Sequence, residues 1–228
     1  MKIFIDTADP AAIKKFADMG ILAGVTTNPT LLVKQMSSSS GAPAASESAF
    51  ARQKAILKEI CDVAVCDVLA EPVSVDAENI ISEAAFLCSI SKRIVAKIPL
   101  TAEGLKAAAV LKKRNIRVAF TLVFSAEQAI LAAAAGADYI CPFVGRLDDA
   151  GQKGVEVIGD MASIYAASGV KTRIVAASIR GLEHVTACAR RGAYAATVPP
   201  GIIDEMIKHE LTAKGVEKFT QDWSKAAR

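Results

Sequence analysis

RIVAKIPLTAEGLKAAAVLKKRNIRVAFTLVFSAEQAILAAAAG, residues 93–136, alternates between two kinds of pattern, and that alternation decides the fold. Arg93 to Ile98 is a short apolar run of strand length. Thr101-Ala102-Glu103-Gly104 then opens a helix, with its acid in the first turn, where the positive end of the helix dipole favours it. Ile116 to Val123 is a second run of strand type. Ser125 caps the next helix and Gly136 ends it. Strand, helix, strand in this rhythm is the βαβ unit of a parallel sheet.

The rhythm extends in both directions. Upstream, Lys2 to Asp6 (KIFID) reads as a strand, and Thr7-Ala8-Asp9-Pro10 starts a helix that Gly20 closes. Ile21 to Val25 is the second strand, followed by Thr26-Thr27-Asn28-Pro29. Ser37 to Ser48 opens with four consecutive serines and reads as a surface loop; a helix resumes over Glu47 to Ile60. Val63 to Val75 contains the third strand, ending between Glu71 and Val75, and Asp76 starts a helix. Downstream, Asp138 to Val144 is the sixth strand and Gly154 to Ser168 a long helix. Thr172 to Ala177 is the seventh strand. Leu182 to Arg191 is a helix stopped by Gly192, Tyr194 to Val198 is the eighth strand, and a short helix follows two prolines. Eight strands, each followed by a helix, predict a (β/α)8 TIM barrel, one domain over residues 1–228. A doubly wound sheet is the alternative, but it calls for a glycine-rich loop after the first strand, where this chain has Asp-Thr-Ala-Asp-Pro. One segment is left over, a helix over about 212–226 with Val216, Phe219 and Trp223 on one face. It packs either on its own barrel or on a neighbouring subunit.

Bulk properties agree with buried parallel strands. Of 228 residues, 52% are hydrophobic but only 5% aromatic, so the core is Ala, Val, Ile and Leu. The net charge of +3 argues against a nucleic-acid partner. Lys112-Lys113-Arg114 and Arg190-Arg191 fall late in helices, where cations suit the dipole. Five cysteines, none in a CxxC pair, and only two histidines predict free thiols and no metal site. No stretch reaches the length of a membrane span, and the N-terminus lacks a signal-peptide run, which predicts a cytoplasmic protein.

In such barrels the chemistry sits at the C-terminal ends of the strands. The polar residues there are Asp6, Asn28, Glu71, Lys97, Thr121, Arg146, Ser178 and Arg180. Lys97 stands inside an aliphatic strand, a costly place unless its charge is matched or its amine is neutral. A neutral amine can attack a ketone, and the resulting imine is an electron sink for C–C cleavage. The plain alternative is a lysine reaching out to water from the strand edge. Glu71, through a water shared with the Thr121 hydroxyl, could shuttle protons; otherwise it is a solvated turn residue. Asp6 could accept the proton of a substrate hydroxyl, or cap the first helix. Asn28 could bind substrate hydroxyls, or shape the turn before Pro29. Arg146, Ser178 and Arg180 follow the sixth and seventh strands, where barrels often bind phosphate. Each arginine could equally be an ordinary surface charge.

Blocks spread along nearly the whole chain carry a resemblance: FIDTAD, GVTTNPTLL, DAENI, IVAKIPLTAEGLKA, TLVFSAEQAILAAAAGADYICPFVGRLDD, IVAASIR and TVPPGII. Through them the chain resembles the small-subunit transaldolases and the related fructose-6-phosphate aldolases. The resemblance implies that Lys97 in AKIP is the Schiff-base lysine and Asp6 in IDTAD the acid/base on the substrate C4 hydroxyl. It implies that Glu71 and Thr121 hold the catalytic water, that Asn28 contacts the dihydroxyacetone moiety, and that Arg146, Ser178 and Arg180 bind phosphate. The aldolase branch carries Gln at the place of Glu71 and Tyr at the place of Phe143, so Glu71 with Phe143 resembles the transaldolase pattern. A tyrosine hydroxyl helps position the water that releases the enzyme-bound intermediate, and Phe143 lacks it.

The chain also departs from the family. Transaldolases usually carry Asn at the place of Ala119, often a small residue such as Ser at the place of Cys141, and no proline at the place of Pro72. The resemblance implies transfer of a dihydroxyacetone unit from sedoheptulose 7-phosphate to glyceraldehyde 3-phosphate, without cofactor, in the pentose phosphate pathway. It also implies a ring-stacked homo-oligomer, pentamer or decamer. The alternatives are direct aldol cleavage of fructose 6-phosphate, and a non-catalytic barrel that binds sugar phosphates.

Overall fold

The computed structural model describes residues 1–38 and 48–226. Its strands are β1 (Lys2–Asp6), β2 (Leu22–Thr26), β3 (Asp67–Ala70), β4 (Ile94–Pro99), β5 (Val118–Val123), β6 (Tyr139–Pro142), β7 (Arg173–Ala176) and β8 (Ala195–Val198). All neighbours run parallel, in the order of the sequence, and β8 pairs with β1 to close the barrel. The helices are α1 (Pro10–Asp18), α2 (Pro29–Ser38), α3 (Ala49–Val63), α4 (Ala77–Ile90), α5 (Ala102–Lys113), α6 (Ala126–Ala134), α7 (Val144–Asp149), α8 (Gly154–Ala167), α9 (Leu182–Arg190), α10 (Pro200–Ile207) and α11 (Glu210–Ala226). This is the (β/α)8 barrel with an extra C-terminal helix.

The caps fall where the sequence puts them. Asp9, Asp76, Thr101 and Ser125 each accept a backbone N–H at a helix start. Gly136 and Gly192 leave their helices with φ of 73° and 89°, in the left-handed region that glycine adopts without strain. Three readings change. Between the second strand and the serine run, where no helix is read from the sequence, Asn28 Oδ1 accepts from Leu31 N at 2.9 Å and starts α2, which runs through Ser37 and Ser38. Of the rest of the Ser37–Ser48 loop, Ser48 caps α3 and residues 39–47 lie outside the described residues. The third strand stops at Ala70, because Pro72 has no N–H to continue the ladder. The sixth stops at Pro142, where the chain bends straight into α7.

Strand residues alternate between two cores. Ile5, Val25, Val68, Ala96, Ile98, Phe120, Ile140, Ala176 and Ala196 face the helices. Phe4, Leu69, Val95, Ala119, Tyr139, Val175 and Ala195 fill the barrel. Gly24 belongs to this inner layer, since a Cβ there would lie 2.3 Å from the Phe4 ring. The last helix does not behave like the others. Among the described residues of α11 none is buried, and Val216, Phe219 and Trp223 are 61%, 74% and 76% exposed, so it does not pack on its own barrel. No helix among the described residues is long and apolar enough to cross a membrane.

Candidate active site

Two residues further along each strand, the inner face changes character. Phe4 gives way to Asp6, Gly24 to Thr26, Leu69 to Glu71, Val95 to Lys97, Ala119 to Thr121, Tyr139 to Cys141, Val175 to Ala177 and Ala195 to Thr197. The strand period of two thus places one ring of mostly polar side chains over an apolar floor. Asp6, Thr26, Asn28, Lys97, Cys141, Phe143, Arg146, Ala177, Ser178, Arg180 and Thr197 line a cavity of about 190 Å³ at this end.

Lys97 is 4% exposed and does not reach for bulk water. Its ammonium donates to Glu71 Oε2 at 3.0 Å and to the Thr27 carbonyl at 3.0 Å. The charge is therefore matched, which is what burial of a lysine demands. Glu71 side-chain exposure is 14%, so it is no solvated turn residue. The loop that carries it is held by Glu83, whose carboxylate accepts from Val73 N, Ser74 N and Ser74 Oγ. Pro72 therefore leaves Glu71 on Lys97. The Thr121 hydroxyl is buried and has no hydrogen-bond partner within the described protein. Ala119 pairs in register with Lys97 on the neighbouring strand.

On the other side of the barrel, Asp6 is not the helix cap; Asp9 has that place. Asp6 Oδ1 accepts from Thr26 Oγ1 at 2.8 Å. Burial pushes the Asp6 carboxyl above its ordinary value, against the opposing pull of Lys97 and of the Thr26 hydroxyl. Burial likewise pushes the Cys141 thiol up to about 12, which makes it a poor nucleophile. Asn28 does shape the turn, by capping α2, and lines the cavity as well.

The two arginines meet at the rim because Gly145 lets their strands' loops touch. Gly145 N donates to the Ser178 carbonyl at 3.0 Å, and a Cβ there would stand 2.4 Å from that oxygen. No side chain fits at this crossing. Arg146 lies over the Phe143 ring at 4.8 Å, and Phe143 meets Phe124 edge-on at 5.8 Å. Arg180 pairs with Asp149 at 2.7 Å, an exposed pair that a stronger anion can displace. All nine residues singled out in the sequence therefore come together at one end of the barrel. Sequence reasoning missed Thr26 and Thr197, although the alternation that marks Lys97 as inward-facing marks them too.

Among the described residues, no group of three or more His, Cys, Asp or Glu is placed to hold a metal ion. A larger cleft of about 560 Å³ lies at the opposite end of the barrel. Three of its charged side chains already have partners, Arg117 with Asp67, Asp138 with Lys112 and Arg173 with Tyr139, so size alone does not make it the site.

Residues 3–228 match the family model described as Transaldolase/Fructose-6-phosphate aldolase. A probable transaldolase of Brevibacillus brevis is 46% identical over 224 residues, 98% of each chain. Probable transaldolases of Clostridium kluyveri and Methanococcus maripaludis are 45% and 44% identical, each over 98% of this chain and 97% of the relative. Among solved structures, a mandelate oxidase variant with an FMN adduct superposes with a TM-score of 0.57 at 11% identity. That superposition covers 87% of this chain and 64% of the oxidase, and shows the barrel fold alone.

Proposed function

The chain belongs to the transaldolase/fructose-6-phosphate aldolase family, and from that premise we propose that it is a transaldolase working through an imine on Lys97. It moves a dihydroxyacetone unit from sedoheptulose 7-phosphate to glyceraldehyde 3-phosphate, giving erythrose 4-phosphate and fructose 6-phosphate. The observation that carries this reading is a buried lysine held by a carboxylate in a ring of polar groups, with two arginines at the rim.

Lys97 must lose a proton before it attacks, and Glu71, 3.0 Å away, is the group placed to take it. The free amine adds to the ketone carbon and water leaves, forming the imine. The unpartnered Thr121 hydroxyl is suited to hold that water beside Glu71. The C3–C4 bond then breaks. Its electron pair moves into the imine to give an enamine, Asp6 takes the C4 hydroxyl proton, and C4 leaves as an aldehyde. With the acceptor aldehyde bound, the same steps run backwards and Asp6 returns the proton. Burial suits Asp6 to this exchange by raising its proton affinity. Arg146 and Arg180 bind the phosphate, Arg180 leaving Asp149 to do so. Asn28 and Ser178 position the chain between. Phe143 supplies an apolar wall with no hydroxyl to polarise a hydrolytic water, so the enamine survives until an acceptor arrives. Lys97 supplies the electron sink, so the cycle calls on no cofactor. The same reading places the protein in the pentose phosphate pathway of the cytoplasm, as a homo-oligomer, pentamer or decamer, joined through α11.

The test is release of glyceraldehyde 3-phosphate from fructose 6-phosphate, with and without erythrose 4-phosphate, in wild type and Lys97→Ala. Release only with the acceptor, lost in the variant, is expected. Equal release without the acceptor moves the activity to aldolase. If borohydride marks no lysine while fructose 6-phosphate binds without turnover, the barrel is a sugar-phosphate binder and the reading is wrong.

A further inference from the structure

The chemistry proposed for Asp6 leaves one part of its surroundings without a role. Thr197, the inward residue of β8, is 2% exposed, and its hydroxyl lies 2.5 Å from Thr26 Oγ1. Thr26, 1% exposed, donates in turn to Asp6 Oδ1 at 2.8 Å. Among the described residues no other hydrogen bond reaches either side-chain hydroxyl.

Each hydroxyl carries a single hydrogen, and an ionised carboxylate only accepts. The hydrogen of Thr26 is therefore committed to Asp6 Oδ1. The contact between the two threonines must then be filled by the hydrogen of Thr197. Donation runs in one direction, from β8 to β2 to β1, and it ends on one particular oxygen. To protonate Oδ1, both hydroxyls would have to turn round; Oδ2 can gain and lose a proton with the chain undisturbed. We propose that Thr197 is a positioning residue for Asp6, acting through Thr26 to keep Oδ1 as the accepting oxygen and to leave Oδ2 for the proton exchanged with substrate. A donor feeding Thr26 also polarises the bond that Thr26 makes, which favours the ionised carboxylate. The inference rests on the transaldolase reading of Asp6, and its test is built to fail separately from that reading.

Valine has the shape of threonine without the hydroxyl, and serine keeps the hydroxyl. In Thr197→Val, kcat for acceptor-dependent turnover of fructose 6-phosphate is expected to fall about tenfold, the worth of one buried hydrogen bond. KM is expected to hold, and the acid limb of kcat/KM to move upward, because Asp6 loses support for its ionised form. Thr197→Ser is expected to restore both. Placed in a Thr26→Val background, Thr197→Val should cost nothing further, since its route to Asp6 is already cut. Borohydride trapping of Lys97 by fructose 6-phosphate should be as complete in Thr197→Val as in wild type, because imine formation precedes the step that uses Asp6. An unshifted pH profile with full trapping, or an equal loss in both backgrounds, overturns the positioning role alone. Absence of a trapped lysine in wild type overturns the imine reading and this inference with it.

Discussion

At the scale of single residues, two aspartates three positions apart show how burial sorts like side chains into different work. Asp9 is placed to cap α1, and its carboxylate accepts from Ala11 N at 2.9 Å in an exposed setting. Asp6 faces into the barrel, where desolvation opposes its charge and raises its pKa. A carboxyl that holds its proton more tightly in the folded state subtracts from stability as pH rises through its folded value, and subtracts nothing well below its unfolded one. Asp6→Asn should therefore abolish turnover and yet raise the melting temperature near pH 7. That gain should shrink as the pH falls below the range in which Asp6 ionises. Activity assays and thermal melts of both proteins across pH check this; a variant less stable than wild type near pH 7 would show that Lys97 and Thr26 outweigh the burial. Lys97 was legible in the sequence because a charge stands out in an aliphatic strand. Thr26 and Thr197 were not, because threonine is common in strands and only the inward phase separates these two from the rest.

At the scale of elements, what was legible depended on whether a local signal marked the boundary. The capped helices are such cases: Asp76, Thr101 and Ser125 each announce a first turn, and each helix begins there. The short helix α7 had no such signal. Phe143 makes no side-chain cap, and the bend is set by Val144 N and Gly145 N donating to carbonyls of residues 177 and 178, contacts that exist only once the barrel has closed. The helix α2 did carry one, Asn28 followed by Pro29, but its last turn runs into the serine run, whose composition is that of a loop. The element with most left to explain is α11. Its Leu211, Val216, Phe219 and Trp223 stand 70%, 61%, 74% and 76% exposed, an apolar stripe of the kind that marks an interaction surface. If that stripe meets a neighbouring copy, Phe219→Glu with Trp223→Glu should dissociate the assembly to single chains of 23.9 kDa without unfolding them, because neither side chain supports the barrel. Sedimentation equilibrium reads this directly. A wild type that already sediments as one chain would rule the interface out.

At the scale of the whole molecule, the barrel divides its labour between its ends. The polar ring around Lys97 gathers at the C-terminal ends of the strands, and the N-terminal ends hold a separate polar network. Arg117 forks onto Asp67 at 2.7 and 2.9 Å, Tyr139 donates to the same carboxylate at 2.8 Å, and Arg173 donates to the Tyr139 oxygen at 3.2 Å. Burial and the neighbouring Asp67 push the Tyr139 phenol up to about 12, so the network keeps its proton through the physiological range. Its members come from the starts of β3, β6 and β7 and from just before β5, and no spacing in the sequence announces that they meet. The count of strands predicts a barrel; only the closed register brings these four together. Asp67, Arg117 and Arg173 lie beneath the apolar layer that supports Lys97, and Tyr139 is the member of that layer whose hydroxyl joins them, which assigns the network to holding the barrel shut. Asp67→Asn leaves Arg117 without its counter-charge and weakens Tyr139, which should cost about 2–3 kcal/mol. In a chain of this size that lowers the melting temperature by about 5–10 °C. Turnover below the new transition should stay within about twofold of wild type, since additivity holds for sites this well separated. A large loss of kcat at unchanged stability would mean that the floor of the barrel governs the geometry of Lys97, and that the two ends are one machine.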